Sequence, residues 1–433
     1  MRKVFIQNFG CRATQADGAA LESLLEKRGY EASDAAHTAD LVILNTCTVT
    51  SSADDDVRKS IHRVHRENPD AQILVTGCYA QRAPEELSRI PGVTWVVGNS
   101  HKTGIPEFLA APYHGQILVG DISEATGFLS SPVTGAFGDR TRPNLKIQEG
   151  CNNPCTFCII PTVRGRSRSM PLAQVLGEIN ALAANYREVV LTGINLGRWG
   201  REAGFQTERR MRLSDLLTAV LNGTAVERLR ISSVEPMDFT DELLDAMAGS
   251  PRIARHIHAP LQSGSDDVLK RMKRRYRVRH YEDRLTRAER LMPDAAFGAD
   301  VMTGFPGETD AEFRETYNFI QRSPLTYLHV FTYSSRPGTP AADSAGHVIP
   351  PVRKERTRLL RDLAAQKNLD FRRRMVGRTL SAVTLDNGKA LTENYLNVEL
   401  AVPRAANQMV DLRIGAVTAA GLSEAGALTV LAS

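Results

Sequence analysis

Cys151, Cys155 and Cys158 lie within eight residues, in the string Cys151-Asn152-Asn153-Pro154-Cys155-Thr156-Phe157-Cys158. Three thiolates on one short loop can hold three irons of a [4Fe–4S] cluster, whereas a closed cluster takes four protein ligands. An iron left without a protein ligand can bind a substrate or cofactor directly. A structural zinc ion is the competing reading, but it wants four nitrogen or sulfur ligands, usually in paired knuckles, and no fourth Cys or His stands close in sequence. The other three cysteines, Cys11, Cys47 and Cys78, are spread along the N-terminal part, and the last 275 residues have none. Six cysteines in 433 residues are too sparse for a disulfide scaffold, so their spacing is read first for metal chemistry in a reducing cytoplasm.

Residues 1–110 alternate apolar runs at 4–7, 41–45, 72–76 and 94–97 with helical patterns at 19–28 and 53–67. Such alternation predicts a doubly wound parallel α/β sheet. Cys11, Cys47 and Cys78 each follow one of the first three runs, and ligands of open α/β sheets gather beyond the carboxyl ends of strands. The three would meet on one rim; the alternative is three unrelated buried thiols, since free Cys is often core. From residue 144 the alternation resumes, with strands expected at 145–148, 188–192, 228–232, 256–260, 298–302 and 327–332 and helical segments between them. Six strand–helix units predict a partial (β/α)6 barrel, with the cysteine trio at the face where barrel active sites lie. Residues 352–374 read as a long helix with nine Lys/Arg against three acids. The tail turns to β-like runs at 380–385, 396–402 and 427–431, with a hairpin signal at Asp386-Asn387-Gly388, and predicts a small OB-like β-barrel.

At 42% apolar and 24% charged residues, the chain is an ordinary globular protein, not collagen-like, coiled-coil or disordered. No apolar stretch approaches the roughly 18 residues that span a bilayer, and the N-terminal apolar run is too short for a signal peptide. A cytoplasmic, membrane-free monomer is expected. The net charge of +5 is clustered: 270–279 carries seven positive residues, and Arg372, Arg373 and Arg374 open the tail. Such patches attract nucleic-acid phosphate when they are not merely solvated faces. Lys270, Arg271, Lys273, Arg274, Arg275 and the three tail arginines are therefore candidate RNA contacts, and an OB-like barrel fits RNA binding. Gly193, Glu235 and Gln262, each after an expected strand, are candidates for holding a cofactor at the barrel mouth; His258, at a strand end, is a further candidate for lining it.

The CxxxCxxC spacing after the first barrel strand resembles the radical S-adenosylmethionine (SAM) superfamily. A longer set of strings resembles the methylthiotransferases within it: Ile147-Gln148-Glu149-Gly150-Cys151, Cys158-Ile159-Ile160-Pro161, Arg164-Gly165-Arg166-Ser167-Arg168-Ser169, Asn45-Thr46-Cys47-Thr48-Val49-Thr50, Thr76-Gly77-Cys78, His258-Ala259-Pro260-Leu261-Gln262-Ser263-Gly264-Ser265, Phe305-Pro306-Gly307-Glu308-Thr309 and Tyr333-Ser334-Ser335-Arg336-Pro337-Gly338-Thr339. The likeness runs over essentially the whole chain and in family order. It implies an N-terminal methylthiotransferase domain (1–112), a linker (113–143), a radical-SAM core (144–371) and a C-terminal TRAM domain (372–433). It also implies that Cys151, Cys155 and Cys158 hold the SAM-binding cluster, and that Cys11, Cys47 and Cys78 hold an auxiliary one. The Thr48-Val49-Thr50 string and the Arg164–Ser169 string (164–169) resemble the branch acting on N6-threonylcarbamoyladenosine at position 37 of the tRNA anticodon stem-loop. The branches for isopentenyladenosine and for a ribosomal-protein aspartate usually differ at both places. One departure is Thr14, where the family commonly has Asn. The implied chemistry is reductive cleavage of SAM by an electron from a donor the sequence does not identify, replacement of the adenine C2 hydrogen, and methylation from a second SAM. A non-catalytic iron–sulfur RNA-binding redox sensor is the alternative, and it would need no open iron.

Overall fold

The structure is a computed structural model that describes residues 2–110, 115–130, 141–202 and 211–426. Six strands, β1 (Lys3–Asn8), β2 (Glu31–Ala32), β3 (Leu41–Thr46), β4 (Gln72–Gly77), β5 (Val93–Gly98) and β6 (Ile117–Leu118), form one sheet in the order β2-β1-β3-β4-β5-β6. Every pairing is parallel. β3 is buried at all six positions, as its unbroken Leu-Val-Ile-Leu start requires of a strand covered on both faces. The strand order reverses between β1 and β3, which makes their carboxyl ends the switch point where such sheets bind ligands.

Two expectations are corrected here. The helix expected at 19–28 is Arg12–Glu26. Its polar first turns look like loop, yet Asp17 and Gly18 are buried by tertiary partners rather than turned to water. The segment 113–143 is not wholly a linker either, because Ile117 and Leu118 pair with Val96 and Val97 as the sheet's last strand. Residues 131–140 of the expected linker lie outside the described residues.

The central strands are β7 (Asn144–Glu149), β8 (Arg168–Ser169), β9 (Glu188–Gly193), β10 (Arg228–Ile231), β11 (His256–His258), β12 (Ala296–Thr303) and β13 (Tyr327–Thr332). They run β8-β7-β9-β10 and β11-β12-β13, and the Leu229–Ile253 and Ser233–His258 bridges join the two sheets into one arc. Apart from the short antiparallel β8, the arc is six parallel strands in sequence order, the expected open barrel. β11 stops at His258 instead of reaching Pro260, a residue with no N–H to continue the ladder. Along β12 and β13, Ala299, Val301 and Val330 join the main hydrophobic core. Strand alternation sends Gly298, Asp300, His329 and Phe331 to the other face.

The helix Pro350–Met375 is continuous through the expected boundary at 372. Its Phe371 and Met375 enter the core of the last domain beside Leu380, Val398 and Leu412. That domain is a closed barrel, β14-β15-β16-β18-β17, built from β14 (Thr379–Thr384), β15 (Lys389–Thr392), β16 (Asn397–Glu399), β17 (Met409–Val417) and β18 (Leu422–Glu424). The strand expected at 396–402 is only β16, and 427–431 lies outside the described residues. Among the described residues, no helix is long and apolar enough to cross a membrane.

Candidate active site

The chain brings Cys11, Cys47 and Cys78 to the rim of the first sheet, after β1, β3 and β4 respectively, with Cys78 opening the helix Cys78–Arg82 directly after β4. Gly10 makes the approach possible. Its φ of +96° is a left-handed conformation, and a Cβ there would lie 2.6 Å from that of Cys47. Cys47 and Cys78 are buried while Cys11 is exposed, so the group opens on the Cys11 side. Burial, then the charges of Cys78 and Cys11, push the Cys47 thiol up to about 12. Thr14, the departure noted above, stands 3.5 Å from Cys11 Sγ and accepts a hydrogen bond from Arg164 Nη2 at 3.2 Å.

The second trio follows β7. Cys151 Sγ accepts from the Asn153 backbone N–H and from Asn195 Nδ2, both at 3.4 Å. Cys155 Sγ accepts from Arg274 Nη1 at 3.2 Å. Burial pushes the Cys158 thiol up to about 12. Buried thiols that resist ionisation alone are ionised by a bound metal. Among the described residues the one group of potential metal ligands gathered within 4.8 Å is His258, Asp300 and His329. Each trio supplies three thiols, a donor set that fits three irons of a [4Fe–4S] cluster.

The two trios share a wall. Cys78 packs with Ile159, the residue after Cys158, and with Val163. Arg164, 1% exposed, donates to Cys78 Sγ at 3.2 Å, to Glu149 at 2.8 Å and to Asp17 at 3.2 Å. Lys102 reaches Asp17 at 3.1 Å, and Lys146 bonds both Asp17 and Glu149. Burial opposes the charged form of Glu149, but Arg164 and Lys146 override it and hold the carboxyl down at about 2. Three cations and two carboxylates are thus sealed together behind the thiols. The signal for this network in the sequence was in β7, where the charged Lys146 and Glu149 stand in a strand that is buried throughout from Leu145 onward.

The nominated residues divide. Gly193 ends β9 against Gln148, whose Oε1 accepts from the Asn195 N–H, so it lies two residues before the Asn195 contact to Cys151. Glu235 is ion-paired with Arg274, and burial raises its carboxyl. Gln262 is bridged to Val301 of β12; its N–H donates to Asp300 O at 2.8 Å, and its φ is +62°. Arg274 is a correction: it is 7% exposed and joins Cys155 to Glu235, so it has no free guanidinium for phosphate. Arg271 pairs with Glu312, while Lys270, Lys273 and Arg275 stay exposed. Arg372 is the second correction, because it donates to Thr418 O at 2.8 Å and so fastens the long helix to the barrel. Arg373 pairs with Asp370, and Arg374 lies over the Phe371 ring.

The polar face of β11–β13 was foreseen only at His258. Asp300 Oδ1 lies 3.3 Å from His258 Nε2 and 3.2 Å from His329 Nδ1, and Ser233 bonds the other nitrogen of His258. Burial opposes ionisation of Asp300, but the two histidines hold its carboxyl well below the usual range. Rings continue from there: Tyr327 lies 5.9 Å from His258, and Tyr395 of the C-terminal barrel stacks on His256 at 4.4 Å. Arg12, next to Cys11, donates to the Tyr395 hydroxyl at 2.9 Å. Residues of all three parts of the chain therefore meet on this face.

Comparison with known proteins agrees with this geometry. Residues 3–98 match the uncharacterized protein family UPF0004, and residues 145–320 match the radical SAM superfamily. The threonylcarbamoyladenosine tRNA methylthiotransferase MtaB of Bacillus subtilis is 40% identical, over 92% of this chain and 90% of its own. The protein of that name from Aquifex aeolicus is 36% identical, over 92% and 96%. Among solved structures, the radical SAM methyltransferase TsrM of Kitasatospora setae shares the fold with a TM-score of 0.57 at 17% identity, over 79% of this chain and 77% of its own. Relatives of this identity over nine-tenths of both chains place the protein: it belongs to the radical S-adenosylmethionine methylthiotransferases.

Proposed function

We propose that this protein converts N6-threonylcarbamoyladenosine at position 37 of tRNA to its 2-methylthio derivative. The observation that carries the reading is the meeting of two three-thiol groups, from separate domains, across the Ile159–Val163 wall (159–163). Cys151, Cys155 and Cys158 would hold one [4Fe–4S] cluster and Cys11, Cys47 and Cys78 another; with SAM bound, the first supplies the one-electron sulfonium cleavage needed to open an unactivated C–H bond. The chain's own residues orient and enclose. Asn195 and Arg274 direct N–H groups at the sulfurs of Cys151 and Cys155. Arg164 does the same for Cys78 and keeps a positive charge in the dry wall between the trios. Glu235, fixed by Arg274, Gly193 and Gln262 are the SAM-side candidates. His329 and Phe331 are exposed on β13, where an unstacked base of an anticodon loop can lie against a ring. Lys270, Lys273 and Arg275 are left to meet phosphate. The names of the Bacillus and Aquifex relatives supply the substrate class.

The test is mass spectrometry of tRNA nucleosides from cells with and without the gene. Loss of 2-methylthio-N6-threonylcarbamoyladenosine with accumulation of its unthiolated precursor is expected. Loss of the isopentenyl derivative instead would overturn the substrate assignment, and no change in any nucleoside would overturn tRNA as the target. In the purified protein, Cys155→Ala is expected to abolish SAM cleavage, whereas Cys47→Ala keeps it and loses methylthiolation. Equal effects of the two would overturn the division of labour between the trios.

A further inference from the structure

A cavity of about 710 Å³ opens where the three parts of the chain meet, lined by Arg12, Gln15, Arg142, Asn144, Asp386 and Asn387. Pockets that take small molecules run to roughly 300–1,000 Å³. Arg12 directly follows Cys11, the exposed thiol through which the auxiliary trio opens. The cavity therefore begins beside that trio.

Two cations, Arg12 and Arg142, and one acid, Asp386, line it. Behind its wall Arg142, Arg228 and Arg230 all converge on one buried carboxylate, Glu188, at 3.2, 3.7 and 2.7 Å. Glu188 is thereby used up, and Asp386 stands at the exposed rim. Arg12 adds a fourth cation. Among the described residues its guanidinium meets the Tyr395 hydroxyl at 2.9 Å and no carboxylate within ion-pair distance. The buried or half-buried arginines of the trio wall behave otherwise: Arg164, Arg274 and Arg336 each hold an acid. Burial, then the charges of Arg230, His258 and Arg12, hold nearby His256 well below its usual value. A second group also waits for a partner. Asn144 Nδ2 donates to Gln15 at 3.2 Å, while its buried Oδ1 accepts nothing. Tyr395 holds its ring in place with a φ of +66°, a strained conformation for a non-glycine residue that recurs at functional sites.

A cationic recess with an unpaired guanidinium and an unpaired acceptor fits a ligand bearing one carboxylate and a neutral N–H or O–H donor. We propose that Arg12 recognises the carboxylate of the threonylcarbamoyl substituent, with the substituent's donors facing Asn144, and so selects this adenosine over one with a neutral N6 group. The inference rests on the function proposed above. A backbone phosphate could also meet Arg12, and the test separates the two anions.

The assay is fluorescence anisotropy of the reconstituted protein with three anticodon stem-loops. They carry threonylcarbamoyladenosine, its methyl ester or plain adenosine at the same position, so their phosphates are identical. The acid is expected to bind about 10- to 100-fold tighter than the ester, the range of one charged hydrogen bond. Arg12→Gln should erase that difference, and Arg12→Lys should keep part of it. Tyr395→Phe, which leaves the charge but removes its anchor, should narrow the difference too, and it carries the test if Arg12→Gln loses iron or melts early. Equal weakening of all three RNAs by Arg12→Gln would assign Arg12 to phosphate and overturn the inference. So would equal binding of acid and ester by the parent protein. A parent that methylthiolates the acid yet ignores esterification refutes only this inference; a parent that leaves the acid RNA unmodified refutes the function and the inference together.

Discussion

Replacing Arg164 with Met tests the wall between the trios. The guanidinium makes four contacts from a site 1% exposed: Glu149 at 2.8 Å, and Asp17, Thr14 and Cys78 at 3.2 Å. Methionine fills much of the volume, so the loss is chiefly electrostatic. Removing one partner of a buried ion pair costs about 3–5 kcal/mol, because the other charge stays behind. Here Asp17 retains Lys102 at 3.1 Å and Lys146, and Glu149 retains Lys146, so the lower end applies, about 3 kcal/mol. In urea, with a slope of about 2–3 kcal/mol/M, the midpoint should fall by about 1–1.5 M. The measurement belongs on iron-free protein, where ligand binding adds no stability of its own. Adding Asp17→Asn to Arg164→Met takes from buried Lys102 its one carboxylate partner, so the double variant should be less stable than Arg164→Met, but by less than the sum of the two single costs, because the Arg164–Asp17 contact is counted in both. That shortfall from additivity is the signature of coupled neighbours. A midpoint unchanged in Arg164→Met, or costs that simply add in the double variant, would refute the network as an electrostatic unit.

Two further outcomes follow from the barrel. Glu188, fully buried among Arg142, Arg228 and Arg230, is held at about 2 against an ordinary 4.5: burial opposes ionisation, and Arg230 foremost overrides it. A depressed carboxyl contributes stability above its unfolded value and loses it as pH falls through the folded one. About 3 kcal/mol should therefore vanish between about pH 4.5 and pH 2, and Glu188→Gln should flatten that limb in urea titrations at several pH values. Gly298→Ala would drive a Cβ into the Tyr327 ring, whose hydroxyl bonds His256 Nε2 at 2.7 Å. Such overpacking costs about 1–3 kcal/mol, read as a melting point several degrees lower in calorimetry, and an unchanged melting point would show that the ring is not fixed there.

The layout of strands was legible because β3, β4 and β9 are unbroken apolar runs between turn signals, and a parallel sheet needs little more. The rim position of Cys11, Cys47 and Cys78 followed from topology alone. What the sequence hid were side chains whose surroundings contradict their type. Asp17 and Lys146 look like surface residues, and each is paid for by a partner far away in sequence, Lys102 or Asp17. Over 271–276 exposure alternates residue by residue, so Arg274 and Arg275 look alike in sequence but have opposite environments. Composition can count the charges in a patch; only tertiary packing says which of them reach water. Arg372 was misread for the same reason, since nothing near it in sequence announces the Thr418 carbonyl it binds.

The wall of buried charge also bears on why the protein tolerates it. Well-packed apolar residues in place of a buried ionic group are often as stable or more so, so stability alone is a weak reason for five ionised groups in a dry interior. Their sum is informative: Lys102, Lys146 and Arg164 against Asp17 and Glu149 leave one positive charge, and Arg164 aims it at Cys78. In a site this dry, a fixed cation acts on neighbouring sulfur far more strongly than at the surface. Cys78 packs against Ile159, the residue after Cys158, so the same cation stands on the border of the second trio. The two carboxylates then have a definite role. They hold the three cations at fixed positions against their mutual repulsion, and the uncompensated charge is presented to the thiols instead of being dispersed into solvent.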